Sequence, residues 1–300
     1  MVVAQVPERN RKIALLEGIT AGTLFGTAAI FINLLSLSGL SAFSIALWRL
    51  VFASIFLAIF LIALRKPIAQ NLLKKNPLRI LSLGFLIGLH FILFVSAVCD
   101  TTILNATVLV NTAPIWSMLV SSLIFKLKPS RLAVVGILAS FLGVVVIAYG
   151  DASSGVWTTK LKGDLEATLA AVAEAFYLSY GRDTRSKTPL LNLMLTMYIF
   201  SILPVLVGGV AMRSDFSLPN QPSLLLILIG LGLLPTAVAH TFYFSSLSHL
   251  KSFETATMAF LEPIVATFLG ILIFAQVPGG LFVLGAVLVL SGLVSVVVKE

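Results

Sequence analysis

The sequence predicts an all-α integral membrane protein, with ten transmembrane helices forming two inverted-topology five-helix repeats around a central cavity. Three observations predict it. Of 300 residues, 59% are hydrophobic and 11% charged, with a mean hydropathy of +1.08, too apolar for a soluble domain of this size. The charges gather in short connections between apolar runs of about 20 residues, the length that crosses a bilayer. The chain also repeats itself at an offset of 149 residues.

The apolar runs fall at about 13–37, 42–64, 78–98, 102–125, 130–149, 164–181, 190–211, 223–247, 252–275 and 279–298. Arg9, Arg11 and Lys12 precede the first run, which continues to about Leu40. That is too long for the apolar core of a secretory signal, and further runs follow, so it reads as the first transmembrane helix. It carries Gly18, Gly22 and Gly26 at four-residue spacing, a pattern that lets helices approach closely. Helix 2 ends at "RKPIAQNLLKKNP", helix 4 at "KLKPSR", helix 5 at "GDASSGVWTTKLKGD", helix 6 at "GRDTRSKTP" and helix 7 at "RSDFSLPNQP". Each stretch joins charge to a proline or glycine and interrupts the apolar pattern.

Charge placement fixes the orientation. With the N-terminus inside, inner segments hold sixteen Lys and Arg residues, and outer segments hold only Lys160, Lys162 and Arg213. This bias puts both termini on the cytoplasmic side of a multi-pass cell-membrane protein. The formal net charge of +8 therefore reflects membrane orientation, not a nucleic-acid partner. The single cysteine, Cys99, permits neither an intrachain disulfide nor a cysteine metal cluster.

The repeat aligns 114–143 with 263–292 without a gap. Pro114/Pro263, Pro129/Pro278, Gly136/Gly285 and Gly143/Gly292 are among its ten identities, and the same offset pairs Glu17 with Glu166. The chain divides into a cytoplasmic N-terminus (1–12), a first repeat (13–149), an extracytoplasmic linker (150–163) and a second repeat (164–300). Five is odd, so the second repeat enters the membrane from the opposite side. Inverted repeats of this kind build many secondary transporters, with the substrate site between the halves.

Phe25-Gly26-Thr27 in helix 1, Leu47-Trp48-Arg49 in helix 2, Leu261-Glu262-Pro263 in helix 9 and the matching proline-to-glycine ends of both halves carry a resemblance to a family. The chain resembles the EamA type of the drug/metabolite transporter superfamily over nearly its whole length. It departs where the family commonly closes helices 4 and 9 with Leu-Gly-Glu: here Phe125-Lys126-Leu127 and Phe274-Ala275-Gln276 stand there, and both acids are missing. The resemblance implies ten helices around a cavity and movement of small metabolites, often amino acids and usually outward. Nucleotide sugars, sugar phosphates and drugs are carried by other members.

A charged side chain at the bilayer centre costs roughly 2.5–3.5 kcal/mol on insertion scales, which makes each one a functional candidate. Glu262 and Glu174 lie about ten residues into helices 9 and 6, where a carboxyl group can carry a proton or meet a substrate amine. Pro263 lacks an N–H and should leave the Ala259 carbonyl without its helical donor, as Pro114 should for Val110. These prolines are the candidate hinges. His90 and His240 occupy comparable places in the two halves, at an offset of 150. Arg49 either faces an anionic group or snorkels to outer headgroups. Asn111 and Thr112 offer uncharged contacts, and Tyr177 shares a face with Glu174. Trp116, Tyr180 and Tyr243 are candidate cavity aromatics, with ordinary packing the preferred reading of each. Glu17 and Glu166 lie in or near the first turns of helices 1 and 6, where the helix dipole favours an acid, and read as structural.

These features point to a secondary transporter working by alternating access, with protons as one possible coupling ion. The lipid bilayer and a small molecule are its partners, and the chain acts as a monomer or homodimer. No phosphate-binding loop makes ATP the direct energy source, and no cofactor or metal is called for. A channel or lipid flippase on the same scaffold is the alternative. An intramembrane enzyme ranks last, since neither HExxH nor DDxxD occurs.

Overall fold

The computed structural model describes residues 11–67, 77–101, 103–151, 161–274 and 280–299. The outermost N-terminus, most of the linker after helix 5 and the connection 275–279 lie outside these residues. So do Arg9, Lys74, Lys75 and Lys160 among the charges counted above, and Ala275 and Gln276 of the family departure.

The described residues form ten successive helical spans. These are α1 (Arg11–Phe25 and Ala28–Leu37), α2 (Ala42–Ala63), α3 (Pro77–Asp100), α4 (Ile103–Val110 and Ala113–Leu123), α5 (Arg131–Asp151), α6 (Leu161–Lys187), α7 (Leu190–Ala211), α8 (Pro222–Leu231, Gly232–Val238 and Ala239–Ser246), α9 (Ser252–Thr257, Met258–Leu261 and Glu262–Phe274) and α10 (Phe282–Lys299). Six spans are long and apolar enough to cross a membrane by length and composition: α1, α2, α3, α4, α7 and α8. Large side chains such as Ile59, Phe85, Leu142, Val207, Phe268 and Val287 are exposed, the pattern expected where lipid replaces water as the neighbour. The fold is that of an all-α membrane protein with two repeats.

The sequence boundaries hold to a few residues, with one exception. Helix 6 was expected to stop near 181 but runs to Lys187. Its last turns leave the apolar zone and are held by ion pairs from Asp183 to Arg79 and to Lys187, both 2.6 Å. The connection before α7 shrinks to Thr188 and Pro189. Because α6 is already helical at Leu161 and α1 at Arg11, Glu166 and the buried Glu17 lie beyond the first turns of their helices. Both are near the first turn, as expected, but past it, where the dipole contributes less.

Repeat equivalence extends to the breaks. α4 and α9 begin 149 residues apart, at Ile103 and Ser252, and their last segments begin 149 apart, at Ala113 and Glu262. Pro114 and Pro263 are each the second residue of that last segment, where a missing N–H has no helical partner to lose. The Ala259 carbonyl, expected to be free, is not. The chain tightens into a 3-10 turn over Met258–Leu261, and the Glu262 N–H bonds that carbonyl.

α5 and α10 cross in a seam of small residues. A Cβ on Gly136 would lie 2.6 Å from the Gly292 carbonyl oxygen, and one on Gly143 would lie 2.6 Å from that of Gly285. Between them the Ser140 hydroxyl donates to the Val289 carbonyl at 3.0 Å. The register rises on one helix as it falls on the other, so α5 and α10 run antiparallel. Ser140 and Val289 are themselves 149 residues apart, so each meets its own repeat-mate at the crossing.

Each end of the bundle is closed by polar contacts. At the face bearing the start of α1, Arg11 pairs with buried Glu254 at the start of α9, and Arg182 Nε donates to the Leu250 carbonyl at 3.0 Å. At the opposite face, Thr101 and Asn105 at the start of α4 donate to Asp164 of α6 at 2.9 and 3.3 Å. Glu254 and Asn105 stand 149 residues apart, as repeat-mates do. The loop after α7 also folds over the start of α2 on that second face. Its carbonyls at Asp215, Phe216 and Ser217 accept from Ser41, Trp48 and Ser44 at 2.8–3.0 Å. Bonds from the Ser217 hydroxyl and N–H hold the Asp215 carboxyl below the usual carboxylate range.

Candidate functional site

Inside the bundle, Arg49 (α2), His90 (α3), Asn111 (α4), Glu174 (α6), His240 (α8) and Glu262 (α9) line one cavity. Phe25, Phe91, Phe94, Ala28, Val110 and Ala259 complete its wall. All six polar residues are buried, Arg49 to 1% exposure. The snorkelling alternative for Arg49 is therefore wrong, because its side chain turns inward among protein groups. The space is about 30 Å³ for the centre of a water-sized sphere, room for a water molecule or two and not for a metabolite.

The contacts give each group a direction. Tyr243 OH donates to Glu174 Oε1 at 2.8 Å, and Asn111 Nδ2 reaches Glu262 Oε2 at 3.4 Å. Asn111 Nδ2 also donates to the Thr107 carbonyl at 2.8 Å, while its Oδ1 makes no hydrogen bond. His90 Nδ1 lies 3.0 Å from the Ala170 carbonyl and 3.7 Å from Glu174 Oε2. His240 Nδ1 lies 2.7 Å from the Pro235 carbonyl. A carbonyl accepts, so in each ring Nδ1 carries the proton, and Nε2 of the neutral ring is left as an acceptor. The two rings stand 6.1 Å apart, centroid to centroid.

The histidines meet because α8 contains a π turn over Gly232–Val238. A π turn accommodates one extra residue in a helix, which accounts for the offset of 150 at the histidines against 149 at the prolines. Pro235 inside this turn is the signal that sequence reading passed over. The glycines of α1 are the other positioning device. A Cβ on Gly22 would lie 2.0 Å from the Met258 carbonyl oxygen, and one on Gly26 would lie 2.6 Å from Val265 Cβ. α1 thus rests directly on the 3-10 turn that presents Glu262.

The remaining candidates lie around the cavity. Trp116 Nε1 donates to Thr112 Oγ1 at 3.1 Å, and Thr112 Oγ1 donates to the Leu109 carbonyl at 2.6 Å, so these two serve each other outside the lining. Tyr177 packs edge-on to His90, with its buried hydroxyl making no hydrogen bond. Tyr180 meets Phe125 edge to face and stacks on Phe176. Phe91 and Phe94, absent from the sequence candidates, are lining residues; nothing in an apolar run distinguishes a phenylalanine facing a cavity from one facing lipid.

A second cavity of about 210 Å³ lies at the face bearing the start of α1, lined by Ser121, Ser179, Arg182, Asp183, Ser248 and Ser252 among others. Its floor is a cluster of buried hydroxyls: Ser252 Oγ lies 2.6 Å from Ser121 Oγ and accepts from Ser179 Oγ at 3.2 Å. Glu174 is five residues from Ser179 on α6, or about 7.5 Å of helical rise. The serine cluster thus separates two chambers lying along the same helix.

The profile of the EamA-like transporter family matches residues 12–149 and again 161–298. A Bacillus subtilis protein named uncharacterized transporter YxxF is 21% identical over 98% of this chain and 93% of its own length. Uncharacterized transporter YdfC of the same organism is 29% identical over 85% and 82%. A Rhizobium johnstonii protein named riboflavin transporter is 28% identical over 83% of this chain and 78% of its own. One chain of known crystal structure superposes with a TM-score of 0.80 at 18% identity, covering 95% of this chain and 96% of its own, a likeness of fold.

Proposed function

The chain belongs to the EamA-like transporter family, whose members move small molecules across membranes, and from that premise we propose a secondary transporter that exports amino acids or related small zwitterions. The carrying observation is the juxtaposition in one buried cavity of Arg49, whose Nη1 makes no hydrogen bond, with Glu174 and Glu262. A guanidinium suits a carboxylate, and a carboxylate suits an amine. The work is transport, not catalysis.

Alternating access is the mechanism. The cavity is too small for a metabolite, so admitting one requires the helices to part. The antiparallel α5–α10 pair supports an inverted relation between a repeat at 13–149 and one at 164–300. In this reading the N-terminal face is cytoplasmic, the larger chamber is the entry vestibule, and Pro114 and Pro263 mark paired hinges. Glu174 or Glu262 carries a proton in exchange, and the protein sits in the cell membrane as a monomer or homodimer.

The two end closures should then oppose each other. Cys99 is the sole cysteine, so Cys99→Ser gives a clean background for a Ser252→Cys reporter. Glu254→Gln is expected to raise labelling of that reporter by an impermeant maleimide several-fold, and Asp164→Asn to lower it. Equal labelling in all three proteins would reject gating at these contacts.

The substrate test is counterflow in proteoliposomes with labelled amino acids, sugar phosphates, nucleotide sugars and riboflavin. Signal in the amino-acid set is expected; signal confined to another set overturns the assignment. A flat aromatic solute is the second reading, favoured by the rings of Phe25, Phe91, Phe94, His90 and His240 around the cavity.

A further inference from the structure

The geometry points to Thr236 as a positioning residue: it clamps Arg49 so that one edge of the guanidinium faces the cavity, and it thereby sets the preference for a solute bearing a carboxylate. This rests on the reading of Arg49 as the carboxylate's partner.

The clamp begins with Pro235. Its missing N–H deprives the Leu231 carbonyl of the usual donor four residues on. The Thr236 hydroxyl donates to that carbonyl at 2.7 Å. A hydroxyl has one proton to give, so with that proton committed to Leu231 the oxygen presents only lone pairs elsewhere. Arg49 Nε donates to it at 3.0 Å. Tyr198 OH donates to the Thr236 carbonyl at 2.7 Å, which ties the same residue to α7. Thr236 and Tyr198 are fully buried.

Phe91 holds the guanidinium from a second direction, with Arg49 Cζ 4.2 Å from its ring centroid. With Nε taken by Thr236 and one face taken by Phe91, Nη1, buried and making no hydrogen bond, keeps its donors for a ligand admitted when the helices part. A planar, pre-aimed fork recognises a carboxylate; a loose one pays rotamer entropy at each binding event. The neighbouring carbonyl of Pro235 aims His240 by the 2.7 Å bond described above. One π turn therefore directs two of the cavity's polar groups.

Thr236→Val keeps the shape and removes the hydroxyl; Thr236→Ser keeps the hydroxyl. The probes are L-phenylalanine and phenethylamine, which differ by the carboxylate. In proteoliposomes Thr236→Val is expected to raise KM for L-phenylalanine about tenfold, the scale of one lost hydrogen bond to a charged group. Vmax and phenethylamine flux should stay at the wild-type level, and Thr236→Ser should restore the lower KM. Equal losses on both probes, or a fall in Vmax alone, overturn the proposal.

A second arm needs no substrate. In 15N-labelled protein the Arg49 Nε–H resonance, assigned by its loss in Arg49→Lys, should exchange slowly in the wild type and in Thr236→Ser and rapidly in Thr236→Val. Slow exchange in Thr236→Val removes the clamp. If the wild type gives no counterflow of either probe, the solute reading fails, and the resonance still decides the clamp.

Discussion

Glu262→Gln is expected to cut counterflow at least about tenfold and to abolish its pH dependence, with the protein still folded. The factor corresponds to a barrier higher by ~1.4 kcal/mol. Glutamine fills the same volume and can still hydrogen-bond Asn111, so the packing of α4 against α9 is preserved. What it removes is a group that can change its charge. The groups lining the cavity around Glu262 are Asn111 on α4, Glu174 on α6, Arg49 on α2, His90 on α3 and His240 on α8. Among these Arg49 is the fixed cation, so in the proposed reading a solute amine is met by one of the two carboxylates. The measurement is flux at several pH values in reconstituted wild type and variant. Identical flux and an identical pH profile would show that Glu262 neither binds nor couples.

Gly22→Ala carries the second large effect. The added Cβ would stand 2.0 Å from a backbone oxygen, that of Met258. Backbone cannot rotate aside as a side chain does, so α1 and α9 must separate. Overpacking of this kind costs about 1–3 kcal/mol. The expected result is a thermal midpoint in detergent lower by several degrees, together with loss of flux in whatever fraction remains folded, because Met258 opens the turn that presents Glu262. Gly230→Ala is the control, since its nearest neighbour, Phe31 Cε2, lies at an ordinary 3.5 Å. A wild-type midpoint for Gly22→Ala would show that the contact yields freely.

Most of the helical architecture was legible in the sequence, because apolar length and paired prolines are local signals that survive without coordinates. The acids were legible too, since a carboxylate in an apolar run stands out wherever it points. Orientation was not legible. Arg49 read equally well as inward or snorkelling, and only tertiary contacts turn it toward Thr236. Thr236 itself looked ordinary in "LLPTAVAH", because its importance lies in where its one proton goes. The expected free carbonyl at Ala259 failed for a related reason. Helix geometry is adjustable, and tightening one turn supplied the donor that Pro263 withheld. Helix 6 outran its apolar stretch because ion pairs at Asp183 sustain the helix beyond it.

The α5–α10 crossing has a mechanical meaning. When one body rocks against another, points on the axis of rotation do not travel. Ser140 lies against Val289, its own counterpart, so a two-fold axis relating the proposed inverted repeats would pass through this crossing. The glycines on either side bring the two backbones together there, with no long side chains to shear. In the rocking proposed above, the crossing would be the fulcrum, keeping its spacing while the closures at Glu254 and Asp164 open in turn. A pair of probes across 140 and 289 would read a constant distance through the whole cycle, a stationary reference against which every other displacement can be measured.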